Sequence, residues 1–367
     1  MAVLIFIAIL LLLVVVHECG HFLAAKFFGI RVDEFGVGFP PKLFGVKRGE
    51  TEYTVNALPS GGFVRIWGEN AEEVTSNDPD AKRSVVHKPK WQQAIVLIAG
   101  IAFNIIFAWI VFSAGFVFGM PTAITEEERE NTSDVRLLVT EVVPGSPASV
   151  AGMVSGDEIV GITSEHDSFL GELTPDDVSS FISENNSGEI RLVLSRGGVE
   201  HQISVVPEAG VIADEPDRRA AGFVMTLAGI ITLPVHEAII EGAKMTYGMT
   251  IAVAEGLGSF LMRVVSGNAG FNEVSGPVGI AGMVGDASAL GFAYLVTFTA
   301  FISINLAVIN LLPFPALDGG RLLFVAIEAI TRKHIPAIAS RALNTIGFLL
   351  LIGLMIAVTV SDVSKLL

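Results

Sequence analysis

The sequence predicts a polytopic α-helical membrane protein, with about four transmembrane helices, a membrane-associated β-hairpin and an inserted α+β domain. Three observations predict it. Hydrophobic residues make up 51% of the 367 and charged residues only 17%, against roughly 25% charged in soluble globular chains. Apolar runs without a single charge recur at the length of a bilayer core. A polar, acid-rich stretch, 121–235, interrupts them once. This composition excludes a disordered chain, a nucleic-acid binder and an ordinary cytosolic enzyme, and makes the lipid bilayer the first partner. One cysteine, Cys19, leaves no intrachain disulfide framework.

The first span is Ala2 to about Phe28, and Met1–Val16 carries no charge. A cleaved signal peptide fits poorly there, because no Lys or Arg precedes the run and no small-x-small site follows it. The loop after it, about 32–67, reads as the β-hairpin, with Glu52–Ala57 and Phe63–Trp67 flanking the turn residues Leu58-Pro59-Ser60-Gly61-Gly62. The second span is about Gln93–Met120, which closes a first region, 1–120.

Residues 134–208 read as a compact domain. Val135–Val142 and Glu158–Ile162 are strands, and Ala148–Ala151 is a short helix stopped by Gly152. Thr174-Pro175-Asp176-Asp177 opens a helix with a capping Thr, a Pro at its first position and acids in its first turn. Glu189–Ser195 and Val199–Val205 flank Gly197-Gly198, a hairpin signal. The region 209–288 reads as an interfacial linker: its apolar stretch Met245–Met262 contains Glu255 and follows Glu237, Glu241 and Lys244, the pattern of an amphipathic helix lying in the membrane plane. The last region, 289–367, holds spans three and four, about Ala289–Leu312 and about Ala342–Val360.

Positive charge orients the spans. The loop between spans one and two holds ten Lys and Arg residues, from Lys26 to Lys90, and the loop between spans three and four holds Arg321, Arg332, Lys333 and Arg341. Both loops are therefore expected on the cytoplasmic side, with 121–235 outside.

The first span ends in His17-Glu18-Cys19-Gly20-His21, an H-E-x-x-H pattern. Four residues apart on a helix, His17 and His21 share a face and can bind one Zn²⁺, while Glu18 can take a proton from water at the metal. Three ionisable groups in a membrane helix are costly unless paired, and mark function by default. A catalytic zinc needs a third protein ligand. Near the end of span three, Pro313 and Pro315 break the helix just before Asp318-Gly319-Gly320. Spans one and three both run inward, so Asp318 reaches the depth of the two histidines. Cys19, two residues from His17, points off that face.

These segments resemble the site-2 protease family of intramembrane zinc metalloproteases. H-E-C-G-H in the first span, N-L-L-P-x-P-x-L-D-G-G (Asn310–Gly320) in the third, Ala99–Ala108 and Ser275–Gly282 carry the resemblance. Ile101 stands where the family has a proline in A-G-P. The stretch Gly145–Ile162 resembles a PDZ domain of the bacterial protease-associated type, which makes 134–208 a candidate for binding extended peptides by β-augmentation, or a spacer that binds nothing.

The resemblance implies a bacterial plasma-membrane enzyme, multi-pass, with its PDZ domain outside and its site near the cytoplasmic face. It implies one zinc ion on His17, His21 and Asp318, Glu18 as the catalytic base, and Asn305 and Asn310 as substrate-holding amides. The implied activity is regulated intramembrane proteolysis of a membrane-anchored regulator, such as an anti-sigma factor already cleaved once outside. Two readings from other classes use the same residues: a metal transporter, and a catalytically silent PDZ scaffold.

Overall fold

The computed structural model describes residues 1–69, 80–165, 167–170, 172–185, 188–211, 218–267 and 274–366. The chain divides into two compact units, one of Met1–Ala114 with Val235–Leu367 and the other of Gly115–Pro234.

The first helix, α1 (Ala2–Phe27), has no proline and no charge before its polar cluster. Ile9, Leu13, His17, Gly20, His21 and Ala25 are its buried residues and form one stripe. Val3, Leu4, Leu12, Leu23 and Phe27 are exposed.

Two long antiparallel strands follow, β1 (Val32–Arg48) and β2 (Thr51–Ile66). Their turn falls at Gly49-Glu50 rather than at Leu58–Gly62, and the physical reason lies in the glycines. Gly49 takes φ 66°, the left-handed conformation a tight turn requires. Gly61 instead lies within β2, where a Cβ would come within 2.4 Å of the Phe39 ring. Both strands bend, so Phe35 faces Val64 on one side and Tyr53 on the other, and Val37 faces Gly62 and Val55. Glu50 at the turn accepts from Lys26 at the end of α1 (2.6 Å) and pairs with Arg83 (2.7 Å). The Lys26 hydrogen bond holds the Glu50 carboxyl below the usual glutamate range.

The next helix, α2, runs unbroken over Lys90–Phe118, with Ile101 buried within it. It crosses α1 at backbone contact: a Cβ on Gly20 would lie 2.3 Å from the Ala99 carbonyl oxygen.

The inserted unit contains β3 (Met120–Ala123), β4 (Ser133–Val142), α3 (Pro147–Val150), β5 (Glu158–Thr163), β6 (Ser168–Leu170), α4 (Pro175–Glu184), β7 (Ile190–Arg196), β8 (Val199–Val205) and β9 (Phe223–Ile231). The strand order is β3-β9-β4-β5-β7-β8, with β6 on β5. Thr174 and Asp177 form a reciprocal capping box at the start of α4. Ile162, Leu192 and Leu194 are fully buried in the core, with Val178 of α4 packed into the same cluster. Asp157, fully buried, accepts a bidentate bond from Arg196 at 2.6 and 2.8 Å and the Val154 N–H at 2.9 Å. On the edge of β9 away from β4, β3 pairs with residues 228–231, and among the described residues no strand pairs with 223–226 there.

The chain then returns to the helical unit with α5 (Val235–Val265), α6 (Pro277–Leu290), α7 (Phe292–Leu311), α8 (Asp318–Thr331) and α9 (Ala337–Leu366). The apolar stretch 245–262 is thus part of a 31-residue helix, of which Ala238, Gly242 and Thr246 are buried. Span three starts later than its hydropathy indicates, because Gly291 at φ 124° ends α6 and opens α7. Among the described residues, five helices, α1, α2, α5, α7 and α9, are long and apolar enough to cross a membrane by length and composition.

Candidate metal centre

The site is built where α1, α2 and the start of α8 meet. On α1, His17 and His21 point to the same side, each only 7% exposed. Their Nε2 atoms are 3.2 Å apart. The third member comes from a break 301 residues further along the chain from His17. After α7, Leu312-Pro313-Phe314-Pro315 cannot continue as helix, and Ala316 takes a left-handed φ of 77°. The chain turns tightly enough that a Cβ on Gly319 would stand 2.3 Å from the carbonyl oxygens of Leu311 and Leu312, and one on Gly320 2.2 Å from that of Phe314. Only the Gly-Gly pair permits this return. Helix α9 backs the turn at equally close range, since a Cβ on Gly347 would lie 2.4 Å from the Pro315 carbonyl oxygen.

Asp318 is the first residue of α8. Its Oδ2 lies 2.9 Å from His17 Nε2 and 3.2 Å from His21 Nε2. Leu317, which caps α8, makes no side-chain cap bond, and the Asp318 carboxylate faces the histidines. The ligand atoms of all three residues lie within 4.8 Å of one another.

This set fits zinc. Two imidazole nitrogens and one carboxylate oxygen are its usual catalytic donors, leaving one coordination position for water. The spacings of 2.9, 3.2 and 3.2 Å are slightly shorter than the edge, about 3.3–3.6 Å, of a tetrahedral shell with ligands about 2.0–2.2 Å from the ion. The far nitrogens are held as well. His21 Nδ1 donates to the Val96 carbonyl at 2.8 Å, and His17 Nδ1 lies 3.2 Å from the Asn104 amide nitrogen. Such outer contacts orient ligating imidazoles.

Glu18 is partly buried and lines the same cavity of about 910 Å³ as His17, His21 and Asp318. Phe63, Val64, Arg65 and Ile66 of β2 form one wall, and Arg321 and Phe324 of α8 another. Asn305 and Asn310 stand apart from this lining. Asn305 turns its amide back onto the Phe301 carbonyl (2.9 Å), and Asn310 is half-buried near the end of α7.

Two residues of the centre escape a search for ligands. Gly100 on α2 faces both histidines: a Cβ there would sit 2.4 Å from His21 Nε2 and 2.9 Å from His17 Cε1. Asn104, one turn on and fully buried, reaches His17. A buried asparagine in an apolar helix is the signal that could have found the second; an open face for the metal is invisible in a lone glycine.

Apolar helices, an H-E-x-x-H pair completed by a distant aspartate, and an acidic side chain in the same cavity define a membrane metallopeptidase. Comparison with known proteins agrees. Residues 5–354 match Peptidase family M50, and the chain belongs to that family, the site-2 proteases. It is 38% identical over 352 residues to a putative zinc metalloprotease of Clostridium perfringens, covering 96% of this chain and 95% of that one. It is 33% identical over 373 residues to a putative zinc metalloprotease of Nostoc (100% and 97% covered), and 30% identical over 437 residues to the zinc metalloprotease RasP of Oceanobacillus iheyensis (98% of each).

Proposed function

We propose that this zinc metalloprotease cuts transmembrane proteins within the bilayer, with His17, His21 and Asp318 holding the ion and Glu18 acting as general base. The observation that carries the proposal is the convergence of these four side chains on one cavity from segments 301 residues apart. When bound there, zinc supplies Lewis acidity to the scissile carbonyl and lowers the pKa of water. Glu18 takes the proton from the attacking water and delivers it to the departing amine nitrogen. The buried histidines and the partly buried aspartate are held against one another, and such preorganisation favours the transition state as charge develops.

A helical substrate hides its peptide bonds, so the reacting segment must be extended. The β2 wall of the cavity, Phe63–Ile66, offers a strand to pair with it. Asn305 and Asn310 are the amides proposed to hold the stretched chain through its C=O and N–H groups. Asn310 is the stronger of the two, because it precedes the Pro313 break.

Helix direction supports an orientation. Gly285 of α6 faces Ala2 at the start of α1, where a Cβ would lie 3.0 Å from that of Ala2, while Asp318 meets His17 further along α1. The α6–α7 run therefore follows α1 in the same sense. One return crossing, α2, brings the chain back to start α7 on the side where α1 starts; a second full crossing by α5 would put α7 on the wrong side. In this reading α5 lies in the interface, both basic loops face the cytoplasm, and the PDZ-like 134–208 region lies outside a bacterial plasma membrane.

Placed outside, the inserted domain acts as a filter that admits substrates already trimmed by another protease. The open 223–226 edge of β9 supports a peptide-pairing role for it. The substrate class is a membrane-anchored regulator such as an anti-sigma factor, as handled by the bacterial regulator of sigma-E protease.

Proteomics of membrane fragments from cells carrying wild type or Glu18→Gln tests the activity. Fragments should vanish in Glu18→Gln while its purified protein keeps zinc. A form lacking the whole inserted sheet, 120–231, should release new fragments from substrates with intact outer domains. Unchanged fragments in Glu18→Gln would sink the protease reading, and unaltered metal transport without any fragment would favour a transporter.

A further inference from the structure

The stretch Ala99–Ala108 contributes more than helix packing. Asn104 is completely buried, one turn after Gly100, and its amide meets the metal-site face of α1. We infer that Asn104 is the positioning residue that fixes the His17 ring for zinc, its side-chain oxygen accepting the His17 Nδ1 hydrogen once Nε2 is given to the ion. The inference rests on the zinc reading above.

The two histidines are held differently. His21 Nδ1 faces a backbone carbonyl, Val96 O, at 2.8 Å. A carbonyl only accepts, so His21 carries its proton on Nδ1 and offers a bare Nε2 to the centre. His17 Nδ1 faces an amide, which has one donating and one accepting end. In the structure Nδ2 stands 3.2 Å from His17 Nδ1, while His17 Nε2 stands 2.9 Å from Asp318 Oδ2. That arrangement suits a His17 whose proton sits on Nε2 and points at the aspartate.

A neutral imidazole that binds a cation through Nε2 must keep its remaining proton on Nδ1. The amide nitrogen cannot accept it. The other end of the same amide can, after a half-turn about the Cβ–Cγ bond. That turn breaks no hydrogen bond of Asn104 Oδ1, which is buried and has no partner in the structure. The Asn104 backbone, by contrast, is fixed, for its carbonyl accepts the buried Ser303 hydroxyl of α7 at 2.9 Å. The side chain is free to reverse while its place is not.

An orphaned polar atom in an apolar interior is costly. One end of the amide goes unpaired in either orientation, so its presence beside a ligand nitrogen points to a role in holding His17 rather than in packing.

The test is zinc affinity, measured by chelator competition on purified full-length protein, for wild type, Asn104→Leu, Asn104→Asp and Ser303→Ala. Leu keeps the shape without an acceptor, and Asp supplies acceptors of the same size. Asn104→Leu should bind zinc about 10–100-fold more weakly, the range for lost outer-shell partners of a metal ligand. Asn104→Asp should bind as tightly as wild type or tighter, and Ser303→Ala, which removes the anchor of the Asn104 backbone, should weaken binding less than Asn104→Leu. Helix content and thermal midpoint of each zinc-free protein are recorded alongside, and if Asn104→Leu does not fold, Asn104→Asp alone decides. Wild-type affinity in Asn104→Leu, or an Asn104→Asp as weak as a folded Asn104→Leu, overturns the positioning role. Wild-type protein that takes up no zinc overturns the metal reading itself, and this inference with it.

Discussion

In the inserted unit, apolar side chains turn inward: Ile162, Leu192 and Leu194 are fully buried, while Arg191, Arg218 and Arg219 are exposed. In the helical unit polar groups are turned inward among apolar ones, and large apolar side chains also face outward. His17, His21, Asn104 and Ser303 are buried, while Leu349, Leu350 and Ile356 of α9 are 56–61% exposed. The difference identifies two solvents. Water drives the first arrangement through the hydrophobic effect. The second makes sense only where apolar exposure is free, and there a polar interior must justify its burial by hydrogen bonds, by a metal or by chemistry.

Three substitutions separate the two regimes. The largest effect is expected from Gly100→Ala. Its Cβ would stand 2.4 Å from His21 Nε2, so zinc occupancy and hydrolysis should both be lost, whereas Gly258→Ala on α5, with nothing within 4 Å, should change neither. Metal analysis of the two purified proteins decides; equal zinc in both would mean that the face of α2 does not bound the centre.

Next comes the other unit. Leu192→Ala removes a fully buried side chain and should lower the stability of the inserted unit by about 2–5 kcal/mol, leaving zinc binding in place. Denaturation followed beside metal content checks this, and coupled loss of both would show that the units do not stabilise independently.

The smallest effect concerns the turn at Glu50. Its carboxyl is held below the ordinary glutamate range by Lys26, with Arg83 adding to it. The charged form is thus favoured in the folded protein, so its stabilisation is complete above the ordinary glutamate pKa and is lost as pH falls through the lowered value. The gap in thermal midpoint between wild type and Glu50→Gln should therefore be widest near about pH 6 and close towards about pH 3. Because the groups are partly solvent-exposed, the gap should be small. A gap that widens on acidification contradicts the pairing.

The same contrast explains what could be read from residue order alone. Hydropathy marked α1, α2, α7 and α9 to within a few residues at most ends, because lipid leaves a continuous apolar signal. The capping residues Thr174-Pro175 and the Gly197-Gly198 turn located α4, β7 and β8, because their signals are local. The hairpin over 32–66 was placed but its turn was not: five turn-forming residues at 58–62 outweighed the single Gly49, and only tertiary contact with Phe39 and Gly36 reveals why the later glycines lie inside a strand. The distant Asp318 was legible through its prolines and glycines. Gly100 and Asn104 were not, since their importance lies in what they face. Helix α5 is ambiguous to hydropathy for a further reason: its length suits a crossing, and only the shared direction of α1 and α6–α7 argues against one.

The central claim is that a single ion joins α1 to the start of α8. Zinc stoichiometry and zinc-edge X-ray absorption on the purified protein, wild type beside Asp318→Ala, test it most directly. The expected result is one zinc per chain with two imidazole nitrogens and a carboxylate oxygen at about 2.0–2.2 Å, and loss of both occupancy and proteolysis in Asp318→Ala. Full occupancy with an unchanged ligand shell in Asp318→Ala would contradict it.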